Sequence, residues 1–527
     1  MVGTSKVRKC LHRRKKRIEE VKAKCAEVTM EKKELISNLQ LDELIRLEGP
    51  LSIVQFKEAE NWAEDLDKKA KNKSYQRPPL FGVPISLKEC IQVKGYSQTR
   101  GYADALSETA AEDHLLTQQL KELGCVPFVL TNVPQGLLSL ACTNPIYGAT
   151  RNTYKPTRTC GGSSGGEAAL ISSGGSIIGF GGDVGGSIRC PCHFSGITGF
   201  KPSHFRLSHQ TLTGSVPGRP MIDGSEGPMA RHAAELVTLL RIIWSGKWIS
   251  YRDPYVPPVD WDEKQFSRKG PLRIGYYDDD GWFKPTPALQ RAVHEAVSAL
   301  RDCGYTMVKF EPPDVLSVFK YFTMTVTVDG GQYIVDKFKK DLIGEGSKLM
   351  FYFFRIPTIV KRVLGKLLIP LYPRIGHFLC SLPLDIAELR QTYEGIEKYR
   401  KLYARRMKEL HISAIICPVQ VVPAVENHFS TMLSATTSYT AIFNLLDFAA
   451  GTVNVTKVNE EDEKELHTYP ESDPWYQTAK QATKGSIGLP VGVQVAAPPY
   501  YEETVLRIMC DIEQSLKNSS EKFQAKD

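Results

Sequence analysis

Nowhere in the sequence do apolar residues run uninterrupted for the 18 or so positions that a membrane-crossing helix needs, so no segment reads as a transmembrane span. The opening residues carry no apolar core of the secretory kind, and the 12 cysteines follow no regular framework; both point to a reducing, intracellular compartment. Metal-ligand spacing is missing as well. Cys190-Pro191-Cys192 with His193 has no second ligand pair, so loop or core thiols are the preferred reading and no metal is expected. No Pro/Ser-rich linker breaks the middle of the 527 residues, which favours one large domain over the roughly three or four that length alone would allow. A 42% apolar content is enough for its core. The net charge of +8 is mild and largely local: eight Lys/Arg precede Glu19. Residues 1–40 thus read as a basic, helical N-terminal segment. It could be a solvated helix, a contact for anionic lipid or a nucleic-acid patch, but no aromatic residues interleave the charges and no nucleic-acid motif follows, so no nucleic-acid partner is expected.

Glycine, by contrast, is plentiful and clustered. Between Lys155 and Ser203 the pairs Gly161-Gly162, Gly165-Gly166, Gly181-Gly182 and Gly185-Gly186 bracket Ser163 and Ser187. Such clusters mark turns and close backbone approaches, which makes both serines candidate catalytic hydroxyls. The apolar residues between them (Ala168 to Ile171, then Ile177, Ile178 and Phe180) predict a short helix and a buried strand. No lysine follows at the P-loop offset. Gly161 to Gly165 match the G-x-S-x-G elbow, yet the polar RNTYKPTR before them lacks the strand an elbow requires. Plain structural turns remain the alternative on this segment alone. Upstream, Lys88 ends an apolar run of strand-like alternation (Phe81, Val83, Ile85, Leu87). A lysine drawn out of water there can serve as a base; lowering its pKa from about 10.4 to roughly 7–8 takes about 3–4 kcal/mol.

Taken together, GVPISLKE, GGSSGGE and the G-x-D-x-G-G-S-I-R-x-P run ending at Pro191 resemble the amidase signature family of serine hydrolases. The resemblance extends from about Leu80 to Glu513 through TNVPQ (131–135), NPIYG (144–148), GPMAR (227–231), SYT (438–440), LDF (446–448) and SIGLPVGVQ (486–494). Ser187 lies 24 residues after Ser163 and 99 after Lys88, and these separations, with Arg355 to Ile375, resemble the branch that hydrolyses fatty-acid amides. The resemblance implies an α/β fold with one amidase-signature domain (41–527) whose mixed, twisted sheet is covered by helices on both faces. It implies a Ser–Ser–Lys triad: Ser187 as nucleophile, Ser163 as proton relay across a cis Gly162–Ser163 peptide, Lys88 as base. The N–H groups of Val184, Gly185, Gly186 and Ser187 would form the oxyanion hole, with Ser164, Asp183 and Arg189 in support. Leu137 would touch substrate, an ordinary core leucine being the plain alternative. No cofactor is implied. The substrates would be lipid amides (N-acylethanolamines, primary fatty amides), and the protein a homodimer, peripheral on a cytosol-facing membrane such as the endoplasmic reticulum. An amidase of small amides, an amidotransferase-type subunit and a catalytically silent membrane-surface protein stay open.

Elsewhere, HLLTQQLKEL, within 113–123, predicts a helix ended by Gly124, and ALQRAVHEAVSALRD another. Strands are predicted at VPFVLTN, 272–277, 306–310, 413–418 and 488–497. In 355–375, Ile356, Ile359, Val360, Val363, Leu364, Leu367 and Leu368 follow helical spacing with Arg355, Arg362 and Lys366 opposite. That pattern suits a membrane-binding cap lying in the headgroup region, or a helix packed on the core. Gly49-Pro50 should stop a first helix, with Ser52 to Phe56 the next strand. Family members usually place a further helix before the lysine strand; its shortage here predicts a partly uncovered apolar face and a better hydrated Lys88.

Overall fold

Strands form where β-branched and apolar residues run between turn residues. In the computed structural model, residues 52–524 are described except 55, 211–213, 220, 223, 269 and 271. The basic segment 1–40 and the helix stop at Gly49-Pro50 lie outside the described residues. The strands are β1 (Ser52–Val54), β2 (Pro84–Lys88), β3 (Val126–Thr131), β4 (Thr143–Asn144), β5 (Gly148–Ala149), β6 (Ile178–Asp183), β7 (Thr198–Lys201), β8 (Ser225–Ala230), β9 (Arg273–Tyr276), β10 (Thr306–Lys309), β11 (Ala414–Pro418), β12 (Ala449–Lys457) and β13 (Pro490–Ala497). Eleven of them make one sheet in the order β1-β3-β2-β6-β8-β7-β12-β13-β11-β9-β10, while β4 and β5 pair separately. The sheet is mixed: β3-β2-β6 and β11-β9-β10 are parallel stretches, and the pairs from β6 through β8, β7, β12 and β13 to β11 are antiparallel, as is β1 with β3.

Helices used below are α1 (Phe56–Ala70), α2 (Leu115–Glu122), α3 (Gly165–Ser172), α4 (Arg189–Ser195), α5 (Pro287–Asp302), α6 (Val315–Val326), α7 (Lys348–Arg355), α8 (Thr358–Leu368), α9 (Pro373–Cys380), α10 (Ser438–Leu445) and α11 (Glu502–Gln524). Period-two alternation sorts the central strands between two cores. On β11, Ala414 and Ile416 join a cluster with α5 and α11, whereas Ile415 and Cys417 join one with α6 and α10. Every residue of β13 is buried, so helices cover both faces of the sheet as expected.

The expected elements are present with shifted ends. α2 begins at Leu115 because His114 Nδ1 accepts the Leu116 N–H at 3.2 Å, while Asp113 is taken by the Lys94 N–H and by Lys121. β1 stops at Val54 and Phe56 already opens α1, whose Ala59, Trp62, Ala63 and Leu66 are set inward at helical spacing. The expectation of a hydrated Lys88 is wrong: its residue is 2% exposed, since β2 runs between β3 and β6 in the sheet interior. Ile416→Ala, which truncates a fully buried side chain between α5 and the sheet, should cost about 2–5 kcal/mol, seen as a lower denaturant midpoint for unfolding.

Candidate active site

The parallel neighbours β2 and β6 bring two distant pieces of sequence to one place. Lys88 is the last residue of β2, and its Nζ lies 2.8 Å from Ser163 Oγ and donates to the Gly182 carbonyl at 3.0 Å. Ser163 is buried, follows a cis Gly162–Ser163 peptide, and stands just ahead of α3. Ser164 locks this corner: its Oγ accepts the Gly182 N–H at 3.2 Å, and its own N–H donates to the Ser187 carbonyl at 3.0 Å. Ser187, half-buried, follows Gly186 on the turn between β6 and α4. Burial pushes the Lys88 amine below the usual lysine range, against the opposing pull of Cys90, Asp183, Cys142 and Glu226. A buried amine that holds its proton weakly beside a hydroxyl can act as a base at neutral pH.

The turn that carries Ser187 is shaped by a buried ion pair. Arg189 Nε donates to Asp183 Oδ2 at 3.0 Å and Nη2 to Oδ1 at 2.9 Å. Its remaining donors reach the Thr440 carbonyl, Gln494 Oε1 and Asn444 Oδ1. Burial alone would raise the Asp183 pKa; the Arg189 guanidinium and the N–H of Gly186 overcome it and hold the carboxyl well below the ordinary range. Gly186 has φ +118°, and a Cβ there would stand 2.5 Å from Thr440 Oγ1, so only glycine fits. Of the four N–H groups expected to form an oxyanion hole, that of Gly186 already donates to Asp183 Oδ1 at 2.7 Å. Those of Val184, Gly185 and Ser187 have no partner among the described residues. The carboxylate that shapes the turn thus engages one of the four expected donors and leaves three without a partner among the described residues.

Leu137 sits at φ +60° in a short turn, Gln135–Leu137, partly exposed. The turn adjoins the serine corner, since Gly162 packs against the Ser139 carbonyl. Gln135 ties it to the segment ahead of α7, donating to Asp341 Oδ2 at 3.0 Å and to the Leu342 carbonyl at 2.7 Å. Cys190 and Cys192 are buried in α4, and both ring nitrogens of His193 are engaged, one by the Gly492 N–H and one at the Val422 carbonyl. The partners that residue reading missed are Gly182, Thr440, Asn444 and Gln494. All lie in or beside motifs noticed in the sequence, but no spacing says that they converge.

The stretch 355–375 is not one helix. Pro357 and Pro370 divide it into the end of α7, the whole of α8 and the start of α9. α8 turns its apolar side outward: Ile359, Val360, Val363, Leu364 and Leu367 are all about half or more exposed and line one open surface hollow of about 380 Å³. Leu368 is half-buried, off that face. The inward side holds Gly365, against α9, and Lys361, which donates to the Phe353 carbonyl at 3.3 Å over the Phe353 and Phe354 rings. Burial pushes Lys361 down to about 8. Arg362 pairs with Glu388, and Lys366 is exposed. Among the described residues no helix is long and apolar enough to cross a membrane.

A lysine at a strand end and two serines on the glycine-rich turns ahead of α3 and α4, beside unpaired N–H groups, make a hydrolase-type site. The family model for amidases matches residues 47–506, and the chain belongs to that family. It is 48% identical to fatty acid amide hydrolase 1 of Caenorhabditis elegans over 458 residues, covering 86% of this chain and 80% of that one. It is 39% identical to fatty-acid amide hydrolase 1 of Sus scrofa over 438 residues, 82% and 75% of the two chains. A solved fatty acid amide hydrolase superposes with a TM-score of 0.73 at 25% identity, covering 87% of this chain and 77% of the other.

Asp183→Asn would leave Arg189 as an uncompensated buried cation, and should lower stability at neutral pH by about 3–5 kcal/mol, measured by denaturant unfolding. Because the Asp183 pKa is depressed in the folded state, its contribution is complete above the unfolded carboxylate value of about 3.9 and is lost only as pH falls below that, through the folded value. The variant should therefore differ most from wild type at neutral pH and least in strong acid.

Proposed function

We propose that the chain hydrolyses fatty-acid amides, N-acylethanolamines and primary fatty amides among them, to fatty acid and amine through an acyl-enzyme. The observation that carries the chemistry is the 2.8 Å approach of the buried Lys88 Nζ to Ser163 Oγ, next to the turn bearing Ser187. The substrate class rests on the similarity to fatty acid amide hydrolases and on the exposed apolar face of α8. Neutral Lys88 takes the proton of Ser163, Ser163 takes that of Ser187, and Ser187 Oγ attacks the carbonyl carbon. The oxyanion forms against the free N–H groups of Val184, Gly185 and Ser187, each worth about 2.7–4 kcal/mol by the usual loss on removal. Lys88 then returns its proton through Ser163 to the leaving nitrogen as the C–N bond breaks, and water releases the acid by the reverse relay.

The same reading takes α8 and its neighbours as the surface that meets a membrane. A row of aliphatic side chains beside Arg355 and Lys366 suits the boundary between headgroups and acyl chains, where lipid amides reside. A homodimer on a cytosol-facing membrane, with the endoplasmic reticulum as its site, belongs to this reading and rests on family resemblance.

Lys88→Ala and Ser187→Ala should each lower amide hydrolysis by roughly 100- to 10,000-fold while the protein stays folded, and Ser163→Ala by less, because water can stand in for a relay hydroxyl. A Lys88→Ala enzyme near the wild-type rate at pH 7 would refute the lysine-base mechanism. Fluorophosphonate labelling of Ser187 separates an enzyme from a silent relative, and turnover of an N-acylethanolamine against a short amide separates the substrate classes. Joint replacement of Ile359, Val363 and Leu367 by aspartate should reduce liposome binding and slow long-chain substrates more than water-soluble ones. Equal losses on both would assign α8 to catalysis or folding rather than to the membrane.

A further inference from the structure

Glu167 is the fourth residue after Ser163 and lies in the first turn of α3, yet it is fully buried. Its Oε2 accepts the Ser86 hydroxyl at 2.6 Å and its Oε1 the Thr131 hydroxyl at 2.7 Å. Ser86 precedes Lys88 by two residues on β2, so the two side chains leave the same face of the sheet. Thr131 is the residue opposite Lys88 in the β2–β3 register. One carboxyl therefore grips both strands at the root of Lys88 while standing on the helix that begins behind Ser163. Room is made for it by Gly179, which pairs with Ser86 on β6: a Cβ there would lie 2.1 Å from Glu167 Oε2 and 2.3 Å from Ser86 Oγ. Ser86 Oγ also lies 2.9 Å from Ser176 Oγ, whose hydroxyl reaches the Ile178 carbonyl at 2.9 Å. Ser86 can thus accept a hydrogen bond from a neutral carboxyl and turn its own O–H toward Ser176, so Glu167 keeps hydrogen-bond partners in either charge state.

We propose that Glu167 is a positioning residue for the Lys88–Ser163 pair: its carboxyl ties the helix behind Ser163 to the strand of Lys88, and its charge biases the protonation of that lysine. The inference rests on the reading of Lys88 as base and Ser163 as relay. Burial raises the Glu167 carboxyl to about 7, opposed by the Ser86 and Thr131 hydroxyls and by Lys88 itself. The groups whose electrostatics bear most on Lys88 are Cys90 just beyond β2, Asp183 on β6, Cys142 ahead of β4 and Glu226 on β8, and Lys88 in turn draws the Glu167 carboxyl down. An ionised Glu167 favours the ammonium form of Lys88. Taking its charge away lowers the Lys88 pKa and carries the acid limb of the reaction to lower pH, which loss of a purely structural contact does not do.

The test is the rate of fluorophosphonate labelling of Ser187 as a function of pH in wild type, Glu167→Gln, Glu167→Asp and Lys88→Ala, each checked by thermal melting. Glu167→Gln should react about tenfold more slowly at its plateau, from misplacement of the pair, with its acid limb displaced toward acid by about half a pH unit or more. Glu167→Asp keeps the charge but withdraws the carboxyl by one methylene; it should be slowed with the limb in place. A folded Glu167→Gln with the wild-type plateau or an unmoved limb overturns the proposal. Should Glu167→Gln not fold, Thr131→Val decides: removing one donor favours the neutral carboxyl, so its limb should move toward acid, and an unmoved limb again overturns the proposal. Lys88→Ala keeps the two readings apart. If it retains the wild-type limb, the lysine-base reading itself falls; if it loses the limb while Glu167→Gln behaves as wild type, only the role of Glu167 falls.

Discussion

The removal of the Lys88 amine from water is the constraint on which the rest of the site depends. An amine at the end of an exposed strand stays protonated at neutral pH and cannot take a proton from a serine. Here β2 is an interior strand, flanked by β3 and β6, and the helix that starts after Ser163 closes over its end. The resulting desolvation is what lowers the Lys88 pKa, and several carboxyl and thiol groups around it work in the opposite sense. The surroundings of Lys88 are thus a compromise: burial disfavours its charged form, and the carboxylate of Asp183 offsets part of that cost.

A buried charge pair does a different task. Asp183 and Arg189 sit six residues apart, at the two ends of the turn that carries Ser187, and each fills its hydrogen-bonding capacity. Arg189 also reaches α10 and β13, so the turn that carries Ser187 is braced against parts of the chain more than 250 residues away. Desolvating two charges is expensive, and the full complement of partners is the condition under which such a pair persists. Its effect is rigidity in the turn that carries Ser187.

The outer surface follows a reversed logic at α8. An amphipathic helix on a globular protein ordinarily buries its aliphatic side. This one buries a lysine and a glycine against α7 and α9 and exposes five aliphatic residues in a row. Lys361 tolerates its place because the carbonyl at the end of α7 and two phenylalanine rings replace part of its hydration.

Much was legible in the residues themselves. Local signals are set by neighbours in sequence: alternation in PISLK made a strand, the apolar run after Gly166 made a short helix, and the glycine pairs marked the turns of Ser163 and Ser187. Motif resemblance added the family, and with it the expectation of a mixed sheet. Other facts depend on what packs against what, and no window of sequence contains them. The end of β1 at Val54, the burial of Lys88 despite a short preceding segment, the outward face of α8 and the capture of the Gly186 N–H by Asp183 are of this kind. Glu167 shows the division in one residue: GGSSGGE displays it beside the serines, but only the pairing of β2 with β3 and β6 brings Ser86, Thr131 and Gly179 around its carboxyl. Sequence decides which side chains are available and which local shapes they prefer; desolvation and charge balance are sums over neighbours that only the folded chain assembles.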